Sequence, residues 1–177
     1  LKDKQKNTAL HYACEYDMTH VVEYLIKAHC TINTKNNYGF TPLHYACKRG
    51  NYKIVNILIR NGADIDAKDG RGYTALMWCV GMDLSEEEEE VVDVSQEMDV
   101  DESLGSLSTS TSTSTSSSEE PFQEKDGVEC GKLLIKAGAN LALQDNRNKT
   151  ALYWATTYSC PLLGKEILVA TNKNLDH

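Results

Sequence analysis

The sequence predicts an all-α protein, a short solenoid of stacked two-helix units, and three observations carry that prediction. A triplet, Thr-Ala-Leu or Thr-Pro-Leu, stands at Thr8-Ala9-Leu10, Thr41-Pro42-Leu43, Thr74-Ala75-Leu76 and Thr150-Ala151-Leu152, and the first three are 33 residues apart. A fixed period of that length marks a repeat architecture. The last gap is 76 residues, one period plus 43, so one unit carries a single insertion without losing its phase. Finally, Ile54, Val55, Leu58 and Ile59 fall at helical spacing on one stripe, which a unit this small can bury only by stacking on neighbours.

In the first unit the triplet is followed by His11-Tyr12-Ala13-Cys14, then Val21-Val22, Leu25-Ile26 and His29-Cys30-Thr31-Ile32-Asn33. The second runs Gly39-Phe40-Thr41-Pro42-Leu43-His44-Tyr45-Ala46-Cys47, through Gly50-Asn51 to Ile54-Val55, Leu58-Ile59 and Gly62-Ala63-Asp64-Ile65-Asp66. Thr41 fits a helix N-cap with Pro42 in the first helical position. Gly62 fits the left-handed stop after the second helix, a place His29 takes in the first unit at the cost of strain. The third unit starts at Gly72-Tyr73-Thr74 and resumes at Val128, ending in Gly138-Ala139-Asn140-Leu141. The fourth, Thr150 to Leu168, keeps Leu152, Ala155, Leu163, Ile167 and Leu168 but lacks the closing Gly-Ala, and reads as a terminal unit.

This 33-residue grammar, most complete from Asn37 to Asp69, resembles the ankyrin repeat. The resemblance implies an ankyrin-repeat solenoid of helix-turn-helix units joined by β-hairpin-like loops. Residues 1–82 then hold repeats 1 and 2 and the first helix of repeat 3. Residues 83–126 are the insertion, and residues 127–177 hold the second helix of repeat 3 and the terminal repeat 4. His11 and His44 take the place of the repeat histidine that bonds the loop backbone.

Composition bounds the function. No apolar run approaches the ~18 residues of a membrane span and no signal-peptide pattern opens the chain, so a cytoplasmic or nuclear protein is expected. The chain opens on Leu1 within repeat-like sequence, as an excerpt of a longer protein would. Of six cysteines, Cys14 and Cys47 share one repeat position, while Cys30, Cys79 and Cys130 fall where small or apolar residues belong; only Cys160 is looser. Without a Cys-x-x-Cys pair the expectation is buried, reduced thiols, no metal and no cofactor. No nucleophile, base and orienting group recur around His11 or His44, which argues against an enzyme.

The insertion departs from the rest in charge. Asp83 to Asp126 holds 15 acidic residues and one basic, net −14, against 11 acidic and 17 basic elsewhere, net +6. Glu86 to Glu90 and the Ser/Thr tract from Ser106 to Ser118 give it a disordered composition with phosphorylatable hydroxyls. Beyond a bland solvated loop, two roles fit: gating of an acidic partner by folding over the basic repeat surface, or SUMO recognition. Val91, Val92 and Val94 beside the acid run resemble a SUMO-interacting motif, which adds as a strand to a sheet edge.

The resemblance also implies a binding surface made of hairpin tips and first helices. By repeat phase the candidate partner-contact residues are Asn37, Tyr38 and Phe40; Arg71 and Tyr73; and Arg147 and Lys149 at the tips. One residue after the histidine slot stand Tyr12, Tyr45, Trp78 and Trp154, and four further on Tyr16, Arg49, Met82 and Tyr158. Aromatic and arginine side chains suit interface centres; equally, the first column could fill the seam between helices. Asn33, eight residues after Leu25, resembles an asparagine-hydroxylation site. The function read here is a monomeric protein-interaction scaffold. The alternatives are the regulatory part of a larger enzyme such as a ubiquitin ligase or kinase, and nucleic-acid binding through Lys2, Lys4, Lys6, Lys48, Arg49 and Lys53, the last disfavoured by the lack of a dense basic stripe.

Overall fold

A computed structural model describes residues 2–80, 124–158 and 160–175. They form four layers of paired helices: α1 (Ala9–Glu15) with α2 (Thr19–Lys27), α3 (Pro42–Lys48) with α4 (Tyr52–Arg60), α5 (Ala75–Trp78) with α6 (Glu124–Lys136), and α7 (Ala151–Thr157) with α8 (Pro161–Leu175). First helices pack in the series α1, α3, α5, α7 and second helices in the series α2, α4, α6, α8. Thus α5 and α6 close the third layer although the acidic segment separates them, and both sides of that segment belong to one compact unit. Among the described residues there is no strand, only the isolated antiparallel bridges Lys68 to Thr74 and Gln144 to Thr150 within hairpins.

The apolar spine follows the expected stripe. Ile54, Val55 and Leu58 of α4, Leu134 of α6, and Leu163 and Ile167 of α8 are buried between layers. Small residues let first helices approach, and Ala13, Ala46, Ala75 and Ala155 are all buried. The third layer deviates at the point of interruption: α5 has four residues where α1, α3 and α7 have seven. In compensation α6 begins at Glu124, inside the stretch expected to be insertion.

Two histidines tie each early layer to the next hairpin, as the sequence implied. The Thr8 N–H donates to His11 Nδ1 at 3.1 Å, so Nδ1 is an acceptor, and Nε2 donates to the Phe40 carbonyl at 3.0 Å. His44 repeats this between the Thr41 N–H, 3.0 Å away, and the Tyr73 carbonyl, 3.2 Å away. An N–H on one side and a carbonyl on the other admit a single neutral tautomer. Burial pushes both histidines below their ordinary pKa and keeps them neutral. In layers three and four Met77 and Tyr153 occupy this slot, and the link is absent there.

Left-handed backbone recurs at the repeat period. Lys6, Gly39, Gly72 and Asn148 turn the hairpins, and His29, Gly62 and Gly138 close the second helices, all at positive φ. At Gly39 a Cβ would come within 2.6 Å of the Gly70 nitrogen of the next hairpin, so only glycine fits. Five cysteines are buried and Cys30 is half-buried, all as free thiols. Cys160, expected in a looser place, is buried and donates to the Val80 carbonyl at 3.2 Å. Burial pushes the Cys14, Cys47 and Cys79 thiols up, leaving them protonated and unreactive.

Candidate functional site

The hairpins are organised by an Asx residue at the repeat period: Asp3, Asn36, Asp69 and Asp145. One oxygen of each accepts two backbone N–H groups of its own turn. Asp69 Oδ1 takes those of Arg71 and Tyr73 at 2.9 Å, and Asp145 Oδ1 those of Arg147 and Lys149 at 2.8 and 2.9 Å. Asp3 and Asn36 do the same for Gln5 and Asn7, and for Tyr38 and Phe40. The other end of each Asx reaches the aromatic residue nine positions on. Tyr12 Oη donates to Asp3 at 2.6 Å, Trp78 Nε1 to Asp69 at 3.0 Å and Trp154 Nε1 to Asp145 at 2.8 Å. Tyr45 Oη instead accepts from Asn36 Nδ2 at 3.2 Å. The Tyr12 bond holds the Asp3 carboxyl below its ordinary pKa and pushes the Tyr12 phenol up.

This lock corrects part of the expected contact surface. Tyr73, Trp78 and Trp154 are 4%, 1% and 3% exposed, so they cannot meet a partner without unstacking the layers. They pack edge to face: Tyr73 lies 6.2 Å from Trp78 and 5.7 Å from Trp154, and half-buried Phe40 lies 5.2 Å from Trp78. Tyr45 is half-buried against His11 and Phe40. While Tyr12 in the first layer is exposed, from Tyr45 onward the aromatic column fills the seam between helix and hairpin. Its signal is present in the sequence, an Asx nine residues before the aromatic in all four units, but it joins two features that lie in different parts of the repeat.

Other candidates remain at the surface. Successive tips are joined by backbone bonds, Asn37 N to Gln5 O at 2.8 Å, Gly70 N to Tyr38 O at 2.8 Å and Asn146 N to Arg71 O at 3.1 Å, which set Gln5, Tyr38, Arg71 and Arg147 in one row. All four are exposed, as are Asn37 and, on α3 and its end, Lys48 and Arg49. Lys149 is half-buried with Nζ 4.2 Å over the Tyr153 ring, and Lys48 Nζ lies 5.7 Å from the Trp78 ring. Tyr16 is exposed and stacked on Tyr12 at 6.4 Å, and Tyr158 is half-buried beside Trp154. Tyr153, not singled out from the sequence, joins this face because it fills the histidine slot and projects outward. Met82, Val91, Val92 and Val94 lie outside the described residues. Asn33 bridges layers one and two, its Nδ2 donating to the Gly62 carbonyl and its Oδ1 accepting the Asp64 N–H, both at 2.9 Å.

Among the described residues no group of three His, Cys, Asp or Glu side chains is placed to hold a metal ion, and no helix is long and apolar enough to cross a membrane. Two-helix layers that share a spine and present a row of laterally bonded hairpins define a helical-repeat solenoid. The family model described as ankyrin repeats (3 copies) matches residues 1–69, so that part of the chain carries ankyrin repeats. Past the matched residues, α5 to α8 continue the stack in the same phase. No curated protein matches the chain.

Proposed function

We propose that this chain is a protein-interaction module, without chemistry of its own, that holds its partner on the hairpin tips and the outward side of the first helices. Ankyrin repeats are in general protein-protein interaction modules. The observation that carries the reading here is the exposed row of tips, Tyr38, Arg71 and Arg147, beside Tyr16 and Arg49. Tyrosine and arginine are among the side chains that supply most binding energy at interface centres. They stand on a backbone whose own polar groups are already bonded between hairpins, so the row is rigid before any partner arrives and loses little entropy on binding.

The acidic segment between α5 and α6 then acts as an accessory that gates or recruits. The opposite charges of the segment and of the repeat surface support that role, as does the valine and acid pattern for SUMO. The test is quantitative capture from extract by the intact chain and by Tyr38→Ala/Arg71→Ala. Loss of captured proteins with an unaltered melting curve supports the surface, and equal capture removes it. A third sample, with Asp83–Pro121 replaced by a Gly/Ser linker, reads the accessory role: an unchanged capture profile would show that the segment neither gates nor recruits.

A further inference from the structure

We propose that the partner presents an acidic, extended segment to the row of hairpin tips, recognised through side chains alone. This rests on the interaction reading above and adds the chemistry of the ligand. The basis is a separation of charge in three of the four hairpins, the second having the neutral Asn36 in the acid's place. The carboxylates Asp3, Asp69 and Asp145 each accept two backbone N–H bonds and a Tyr or Trp donor; Asp69 and Asp145 are buried by this, while Asp3 stays exposed. Of the cations of the same loops, Lys35 and Lys68 each donate to a carbonyl of the next hairpin, and others face outward. Lys4, Lys6 and Arg71 are exposed, and Lys149 lies half-exposed over Tyr153.

Among the described residues Lys132 pairs with Glu129 and Glu166, on α6 and α8, whereas no acid holds Lys4, Lys6, Lys48, Arg71 or Lys149. Acids remain nearby: Glu15, half-buried at the end of α1, exposed Asp17 after it, and exposed Asp64 and Asp66 in the loop after α4, which accept loop N–H groups. The tip row and the first helices beside it therefore present outward cations together with Tyr38 at a tip, Tyr16 at the end of α1 and Tyr153 in α7, which are 56%, 60% and 42% exposed. A peptide bearing Asp or Glu at intervals meets a charge from each layer, with apolar contact and phenol hydroxyls between.

Backbone pairing is ruled out as the main mode, because the tip amides of Asn37, Gly70 and Asn146 already donate to the neighbouring hairpin. A nucleic acid fits less well. One or two cations per layer, spaced by Asn37, Asn146 and neutral tyrosines, do not track a phosphate at every nucleotide.

The test is to pan a displayed random peptide library against the intact chain, then measure the affinity of the enriched peptides for the wild type and for Arg71→Glu/Lys149→Glu. Expected are sequences rich in Asp and Glu whose binding weakens about ten-fold in the double variant, two surface pairs being replaced by repulsion, and weakens with added salt. Wild type and variant must show the same melting curve. Enriched peptides without acidic bias that still compete with one another for Tyr38 would overturn the acidic assignment and leave the interaction module standing. No enriched peptide at all would count against both. Displacement by a single-stranded oligonucleotide at lower concentration than by the peptide would assign the face to nucleic acid instead.

Discussion

His29 sits where Gly62 and Gly138 close the later layers, with φ near +56° and an exposed side chain. A residue with a Cβ loses about 1 kcal/mol in that conformation, and no side-chain hydrogen bond or ion pair among the described residues offsets it. His29→Gly should therefore raise stability by about 1 kcal/mol, read as a higher urea midpoint at unchanged slope. His11 and His44 act in the opposite sense, because each is fixed neutral between a backbone N–H and a carbonyl. Their folded pKa values lie below the ordinary 6.5, so the unfolded chain binds more protons than the folded one as pH falls. The stability they protect is present above pH 6.5 and is lost as pH drops toward their folded values, by at most about 1.4 kcal/mol per pH unit for each. The melting temperature should fall between about pH 7.5 and 5.5, with a shallower slope in His44→Gln.

Within the elements, the contact of α6 with α8 shows how second helices are matched. Gly131 and Val55 occupy the same repeat position, yet a Cβ built at Gly131 would overlap Leu163 Cδ1, which α8 drives into the space. Gly131→Ala should cost about 1–3 kcal/mol by overpacking. Leu163→Ala should cost about 2–5 kcal/mol alone and less in the Gly131→Ala background, a coupling read by a double-mutant cycle. The hairpins obey a parallel rule, since each Asx side chain spans its own turn and an aromatic of the following helix. The triplets and the apolar stripe made the helices legible, because burial on one side imposes a helical period on the sequence. The fate of Trp78 and Trp154 was not legible, since a tryptophan at a given repeat position can face a partner or an aspartate, and its donor decides only once the hairpin folds back.

At the scale of the molecule, each layer touches its neighbours, so stability is a sum of layer and interface terms. The acidic segment enters between helices that already pack together through their own neighbours, and closing a longer loop costs little extra entropy. Replacing Asp83–Pro121 by a short Gly/Ser linker should leave the melting temperature within a few degrees of the parent; a collapse of the helical signal would show that the segment holds the stack together. The same additivity makes the third layer weaker than the second, for α5 is short and lacks the histidine link. Amide exchange should be fastest there among the inner layers.

Periodicity determined the number of layers, their phase across the insertion and the identity of the spine, because a stripe that must meet the same stripe of the next unit leaves a fixed record in the chain. Tertiary structure alone decided which polar and aromatic groups were spent internally. Asp69 and Asp145 are as charged as any surface acid in the sequence, and only the inward turn of the hairpin, with two N–H groups and an indole donor waiting, separates them from the cations left facing water.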